Sequence, residues 1–334
     1  MTSSETRKRR LSIGNVLLMY GVYLVYLILL AVISILAKGF LSPSNLLHLL
    51  TQASVLIIVC VGNTFVLLSA GIDMSVGSIA FFGPALAAYL ISKSGLNPYM
   101  AIVLVLVVGA LLGSLNGVIV RQFNIYPLIT TLGVLFAGRG MGQYLIQGGA
   151  HAVPAEIRFI GNGAIIGIPV SIIIAAVFLV VGQLVLRNTT LGRQVVAVGD
   201  NEEAAVKSGI NVPKIKFTVY LISGIASAVA GLVLSGEVTV VDPGLGNGME
   251  FDVLIALVVG GVSVFGAKGS VFPGAFIGVL FLQTIFNGLV AANASPYLFP
   301  VLKGIVIFAA ILLDTIKTRN NVLTVFRSSR GESK

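Results

Sequence analysis

The chain has 334 residues, 57% of them hydrophobic and only 10% charged, with a mean hydropathy of +1.03. Soluble globular proteins carry roughly 25% charged residues, so a globule of this size would lack the polar surface to cover itself in water. An ordinary cytosolic enzyme and a disordered chain are both excluded, and many membrane spans are expected. The formal charge of +9 comes from 21 Lys and Arg against 12 Asp and Glu. The basic residues form short clusters between apolar runs, a pattern that reports orientation in a membrane rather than a nucleic-acid partner.

The first apolar run follows Arg7-Lys8-Arg9-Arg10 and reaches Ala37 with no Ala-x-Ala-like cleavage pattern after it. It therefore reads as an uncleaved first helix and not as a removed signal. A hydrocarbon core about 30 Å thick takes roughly 20 helical residues per crossing. Runs able to supply this start near Val16, Leu49, Val76, Tyr99, Pro127, Pro169, Phe217, Phe251, Val271 and Leu298, ten in all. Those near Val76 and Phe251 are short and interrupted by glycine. The expected organisation is a basic segment over 1–15, a membrane domain over 16–317 with a long connection at 187–216, and a tail over 318–334.

Placing the N-terminus inside puts 16 of the 21 basic residues on the cytoplasmic side: Arg7 to Arg10, Arg121, Arg187, Arg193, Lys207, Lys214, Lys216, Lys268, Lys317, Arg319, Arg327, Arg330 and Lys334. Lys38, Lys93 and Arg158 fall outside, and Arg139 and Lys303 within spans. This bias predicts both termini in the cytoplasm. Two five-helix halves then start from opposite sides, which suggests an inverted repeat, the plan of many alternating-access proteins. Gly71 to Ser78, opening a run with Gly83-Pro84, is echoed by Gly266 to Ser270, opening a run with Pro273-Gly274. The fold class expected is thus an all-α membrane protein of about ten transmembrane helices in two inverted halves. Many of the 39 glycines lie inside apolar runs, where they let helices pack closely.

Polar residues within spans are candidates for function, because they are expensive there. Asp73, beside Ser75, can cap the third helix or add polarity to a pore. Arg139 is expected to pair with a backbone carbonyl or a carboxylate such as Asp73, and Lys303 to extend toward the interface. Asn63, Asn116, Thr130, Thr131, Gln283 and Asn287 can line a path for a hydroxyl-rich solute or tie helices together. Glu237, Asp242, Glu250 and Asp252 form an acidic group without basic neighbours in sequence, suited to docking a delivery protein. Cys60, the one cysteine, reads as a core residue, and His48 and His151 have no second metal ligand nearby, so no metal site is expected.

The 187–216 connection contains Gly199-Asp-Asn-Glu-Glu-Ala-Ala-Val-Lys-Ser-Gly-Ile210. Asp200 or Asn201 can cap a short helix whose first turn holds Glu202 and Glu203. Ala204 and Ala205 give it a small face, and Ser208-Gly209 ends it. A helix of this kind fits a groove on another protein.

This segment resembles the G-N-N-x-x-A-A-x-x-S-G-I pattern of permease subunits of bacterial ABC importers for sugars, the ribose-type family that includes arabinose, xylose, galactose and autoinducer-2 permeases. The similarity covers nearly the whole chain. Ser69-Ala-Gly-Ile-Asp-Met-Ser-Val-Gly-Ser78 is similar to the family's S-G-G-I-D-L-S-V-G-S, with Ala70 and Met74 as departures. Thr130-Thr-Leu-Gly133 with Gly138-Arg-Gly140, and Asn247 to Asp252 with Val258 to Ser263, follow in the family's order. Val262 and Ala267 depart from its Thr and Gly.

The resemblance implies two permease chains forming the channel (a homodimer or a pair with a sister permease), two ABC ATPase subunits beneath, and a periplasmic or extracellular binding protein that delivers the sugar. It implies a location in the bacterial inner membrane, in contact with lipid, and no enzymatic role. It also makes Gly199, Asp200, Asn201, Ala204, Ala205, Ser208, Gly209 and Ile210 the ATPase-coupling segment. The chain has no Gly-Lys dipeptide, so a phosphate loop is impossible; no cofactor is expected here, ATP and Mg being bound by the ATPase. Related alternatives are a branched-chain amino acid or nucleoside ABC permease and, from another class, an ion-coupled secondary transporter.

Overall fold

A computed structural model describes residues 13–37, 39–123, 125–295 and 297–329. Most of the basic 1–15 segment, Lys38, and residues 330–334 of the tail lie outside the described residues. The elements run α1 (Ile13–Leu36), α2 (Pro43–Leu68), α3 (Val76–Ser94), α4 (Pro98–Phe123), α5 (Pro127–Ile146), β1 (His151–Ala152), α6 (Ala155–Asn162), β2 (Ala164–Ile165) and β3 (Ile168–Pro169). They continue with α7 (Val170–Asn188), α8 (Thr190–Asp200), α9 (Glu202–Lys207), α10 (Val212–Val238), β4 (Val240–Val241), α11 (Met249–Val259), α12 (Phe276–Ala291), entered through an irregular turn at Val271–Ala275, and α13 (Leu298–Ser329). A helix stands at each of the ten expected positions. Six, α2, α3, α4, α7, α10 and the 271–291 segment, are long and apolar enough to cross a membrane, and α1 and α13 contain shorter apolar stretches.

Hydrophobicity all round a helix marks it as buried, and α2 meets that description. Its apolar span is 83% buried and that of α10 is 61%, against 33% for α4 and 22% for α7. So α2 and α10 form the centre, and much of α4 and α7 faces outward. Ser42 caps α2 by accepting from the Asn45 amide at 3.4 Å, with Pro43 at the first helical position.

Without water to exclude, helices in lipid associate by close contact. Gly109, Gly113 and Gly117 recur every four residues on α4 and press against α10. A Cβ added at Gly113 would stand 3.0 Å from the Gly224 Cα and 2.5 Å from the Tyr220 carbonyl oxygen. A Cβ at Gly224 would reach 2.7 Å from the Gly113 Cα. The two backbones touch.

Two of the breaks between helices, at 69–75 between α2 and α3 and at 260–270 between α11 and α12, face one another. The breaks meet: the Ala267 amide donates to the Leu68 carbonyl at 3.0 Å. Ala70 (φ 57°) and Ala267 (φ 60°) are both left-handed. These are two of the positions where the sequence departs from a family glycine, and the conformation explains why glycine suits them.

Two short pairings complete the fold. β1 runs antiparallel to β4, His151 opposite Val241, and β2 to β3, Ala164 opposite Pro169. Both stand with α6 at the end of α10 where Asn162 Nδ2 donates to the carbonyls of Gly236 (3.0 Å) and Glu237 (2.8 Å).

Gly113→Leu is expected to lower stability in detergent by about 3 kcal/mol or more through overpacking. Gly304→Leu, with nothing within 4 Å, leaves it unchanged. Thermal denaturation of the two variants checks this.

Candidate functional site

The first break is organised around one carboxylate. Asp73 Oδ1 accepts from the Ser75 amide (2.9 Å) and the Ser75 hydroxyl (2.6 Å), and Oδ2 accepts from the Ser223 hydroxyl on α10 (2.7 Å). Asn63 on α2 donates to the Asp73 carbonyl (3.1 Å), Asn116 on α4 to the Ser75 hydroxyl (2.8 Å), and Tyr220 on α10 to the Ile72 carbonyl (3.2 Å). Thr131 on α5 donates to Pro127 O one turn back (3.0 Å) and lies 3.4 Å from Ile72 O. Asp73, Ser75, Asn63, Asn116, Thr130 and Thr131 are all buried. Of these path candidates, all but Thr130 thus converge on one enclosed joint, and the Thr130 hydroxyl has no partner among the described residues.

Ser75 rather than Asp73 occupies the cap position of α3, although Asp73 still satisfies the Ser75 amide. Arg139 does not reach Asp73. It donates to the carbonyls of Leu245 (2.6 Å) and Gly77 (3.3 Å) and stacks 5.1 Å over the Phe81 ring. The carboxylate of Asp73 is already occupied, and carbonyls serve the guanidinium instead.

A second carboxylate closes the second break: Asp314 on α13 accepts from the Ser263 hydroxyl and the Val264 amide, both at 3.1 Å. The sequence reading missed it, because nothing near Asp314 in the chain announces a distant loop.

The coupling candidates lie at the same end as these breaks. Asn201 caps α9 by accepting from the Ala204 amide (2.9 Å). Gly209, at φ +80°, closes the helix: its amide donates to Val206 O (3.0 Å) and that of Ile210 to Ala205 O (3.0 Å), a Schellman pattern. The two-alanine face is divided. Ala205 is buried within the chain, whereas Ala204, Val206 and Ser208 are exposed. Gly199 points inward too, its Cα against the Leu68 carbonyl where a Cβ would collide. Asp200 ends α8, a second amphipathic helix that the sequence reading missed although Leu191, Val195 and Val198 carry its period. Lys216 on α10 holds Glu202 on α9 at 2.6 Å.

At the far end of α2, about 35 Å away at 1.5 Å per residue, lies a cavity of about 600 Å³. Asn45, His48 and Gln52 from α2 line it, with Glu237 from α10, Asn247 and Asp252 around α11, and Gln283, Phe286 and Asn287 from α12. Asn45 Nδ2 bonds Asn287 Oδ1 at 3.0 Å, and Gln52 meets His48 at 3.1 Å. Gln283 and Asn287 were path candidates; Asn45, His48 and Gln52 were missed as lining, though their i, i+3, i+7 spacing puts them on one helix face.

Of the acidic group, Glu237 and Asp252 both line the cavity, whereas Glu250 and Asp242 do not. Lys303 on α13 pairs with Asp252 (2.7 Å) and lies 5.0 Å from the Phe286 ring, so it turns inward rather than toward the interface. Glu250 is buried, Glu237 lines the cavity, and Asp242 accepts from the Gly244 amide (2.6 Å) in a turn. The group lacks basic neighbours only along the chain. Among the described residues no three His, Cys, Asp or Glu side chains gather as a metal ion would need.

Several apolar helices long enough to cross a bilayer, with a polar chamber at one end and an exposed capped helix at the other, define a multi-pass integral membrane protein of the transport class. The chain belongs to the family described as branched-chain amino acid transport system / permease component, whose model matches residues 45–311. It is 37% identical over 319 residues to the ribose import permease protein RbsC of Haemophilus influenzae, covering 94% of this chain and 98% of that one. It is 36% identical over 317 residues to RbsC of Bacillus subtilis, with the same coverage. The L-arabinose ABC transporter permease protein AraH of Azospirillum brasilense is 32% identical over 295 residues, 88% of this chain and 86% of that one. No solved structure matches significantly.

Ser223→Ala leaves one lobe of the buried Asp73 carboxylate unpaired and is expected to cost about 2 kcal/mol; Asp73→Ala removes every bond to the carboxylate and costs more. A double-mutant cycle read by denaturation in detergent checks that the two losses are coupled.

Proposed function

We propose that the chain is the membrane-spanning permease subunit of an ATP-driven importer for a monosaccharide or related sugar. The observation that carries this is similarity over 94% of the chain to ribose import permeases. The amides of the cavity are compatible with a sugar. Its polar lining is five amides and an imidazole, with two carboxylates, Glu237 and Asp252, of which Asp252 is paired with Lys303. Amides donate and accept, as hydroxyls require.

ATP and Mg are assigned to separate ABC ATPase subunits, since no phosphate loop can be drawn from this sequence. The exposed side of α9 docks there. ATPase closure pushes α9, which the Glu202–Lys216 ion pair ties to α10; α10 in turn carries Tyr220 and Ser223, which grip the Asp73 joint. One displacement thus reaches both the breaks and the chamber wall at the end of α10. A periplasmic or extracellular binding protein delivers the sugar at the chamber end, Asp242 being the member of the acidic group that stands nearest the surface there.

Ten crossings in two inverted halves, both termini in the cytoplasm and a place in the inner membrane complete the reading. The two breaks, one in each half, each closed by a carboxylate and touching one another, support it. A second permease chain is expected on α5. Although 20 residues long, α5 is too polar to join the six apolar spans, yet its outward face carries Gly133, Phe136, Gly140 and Tyr144, with Phe136 70% and Tyr144 82% exposed. Gly133 and Gly140 on this face would let another helix approach closely, as small residues do between packed membrane helices.

Two outcomes are expected. Val206→Glu, altering an exposed residue of α9, should leave thermal stability unchanged but lower sugar uptake about tenfold while the ATPase still turns over. Bulky residues at Ala205 or Gly209 should instead harm the fold, so they do not test coupling. Cysteines at Gly133 or Gly140, in a chain with Cys60 replaced by Ala, should cross-link two permease chains in membranes; cross-linking confined to another helix would move the contact there.

A further inference from the structure

The hairpin β2–β3 turns on Ile166 and Gly167, both at positive φ (+52° and +78°). A two-residue turn of this type favours Asn, Asp or Gly at its first position, because the left-handed conformation crowds a side chain. A β-branched residue is an outlier there. Ile166 is also 97% exposed, so no contact within the chain offsets the strain, and in water the side chain gains nothing. Ile165 and Ile168, which flank the turn, and Phe159 of α6, against the hairpin base at Gly163, are each about half exposed. Ile166 is therefore unfavourable both as a turn residue and as a surface residue, unless the tip meets an apolar medium.

Its position supplies that medium. The Val170 amide donates to the Gly163 carbonyl at 2.8 Å and Ala164 pairs with Pro169, so the hairpin springs from the first residue of α7. α7 is the least enclosed of the six apolar spans and shows Val177, Val180, Val181 and Leu184 outward. The apolar surface of the hairpin thus adjoins the end of a membrane-spanning helix whose apolar side chains face outward. Arg158 on α6 is exposed next to Phe159, without an ion-pair partner among the described residues, where a lipid phosphate could meet it.

We propose that the β2–β3 hairpin is an interfacial anchor, with Ile166 inserted among the lipids at the chamber end of the molecule. This goes beyond the transport reading and does not depend on the substrate.

The sequence contains no tryptophan, so Ile166→Trp introduces a single reporter. In the purified chain reconstituted into phosphatidylcholine vesicles, its emission should be blue-shifted, quenched severalfold by lipids brominated on the acyl chain, and insensitive to aqueous iodide. Quenching by iodide with none from brominated lipid would overturn the anchor. Shielding from both quenchers would also overturn it and assign the tip to a protein contact. Should Ile166→Trp not fold, Phe159→Trp, an aromatic exchange on α6 against the base of the hairpin, is read with the same quenchers.

Discussion

A backbone that leaves the helix inside a membrane must find partners for every amide and carbonyl it exposes, because there is no water to supply them. The structure answers this with two carboxylates, Asp73 buried and Asp314 half-buried. Asp73 gathers an amide and two hydroxyls at the first break, and Asp314 gathers an amide and a hydroxyl at the second. Their neighbours come from α2, α4, α10 and α13, so satisfying the breaks also fixes how those helices sit. Remove this accounting and neither interruption could persist, nor could the segment between α8 and the breaks be held where Gly199, Leu68 and Ala267 meet.

The period and length of the apolar runs made the helices legible, including the short ones at α3 and α11. The α9 cap was legible in outline, since Asn201, Glu202 and Gly209 carry local chemistry that needs no distant partner. What could not be read was anything formed across the chain. Lys303 meets Asp252 from 51 residues away, which turned an apparently unpaired acid into half of an ion pair. Ser223 meets Asp73 from 150 residues away, a partner that no local pattern announces. Ala205 was readable as small but not as buried, because sequence gives a helix's faces and not which one its own protein covers.

The two left-handed alanines place strain where the two helix breaks touch. A left-handed alanine is disfavoured by about 1–2 kcal/mol, and residues so held cluster where a segment adopts more than one arrangement. Ala70 follows the end of α2, and Ala267 donates to α2's last carbonyl. The joint therefore lies between α8, whose Gly199 packs against Leu68 and Ala267, and the helix that runs to the chamber.

The contact between Gly113 and Gly224 has a further implication for how the sequence can drift. Most packed pairs tolerate enlargement on one side if the other side shrinks. Here both partners already have no side chain, so no compensating truncation exists. Any substitution at either position must instead be absorbed by moving α4 away from α10, and with it the Asn116 and Ser223 bonds that close the first break. The pair is a terminal point in the local landscape of allowed sequences, and repacking must begin elsewhere.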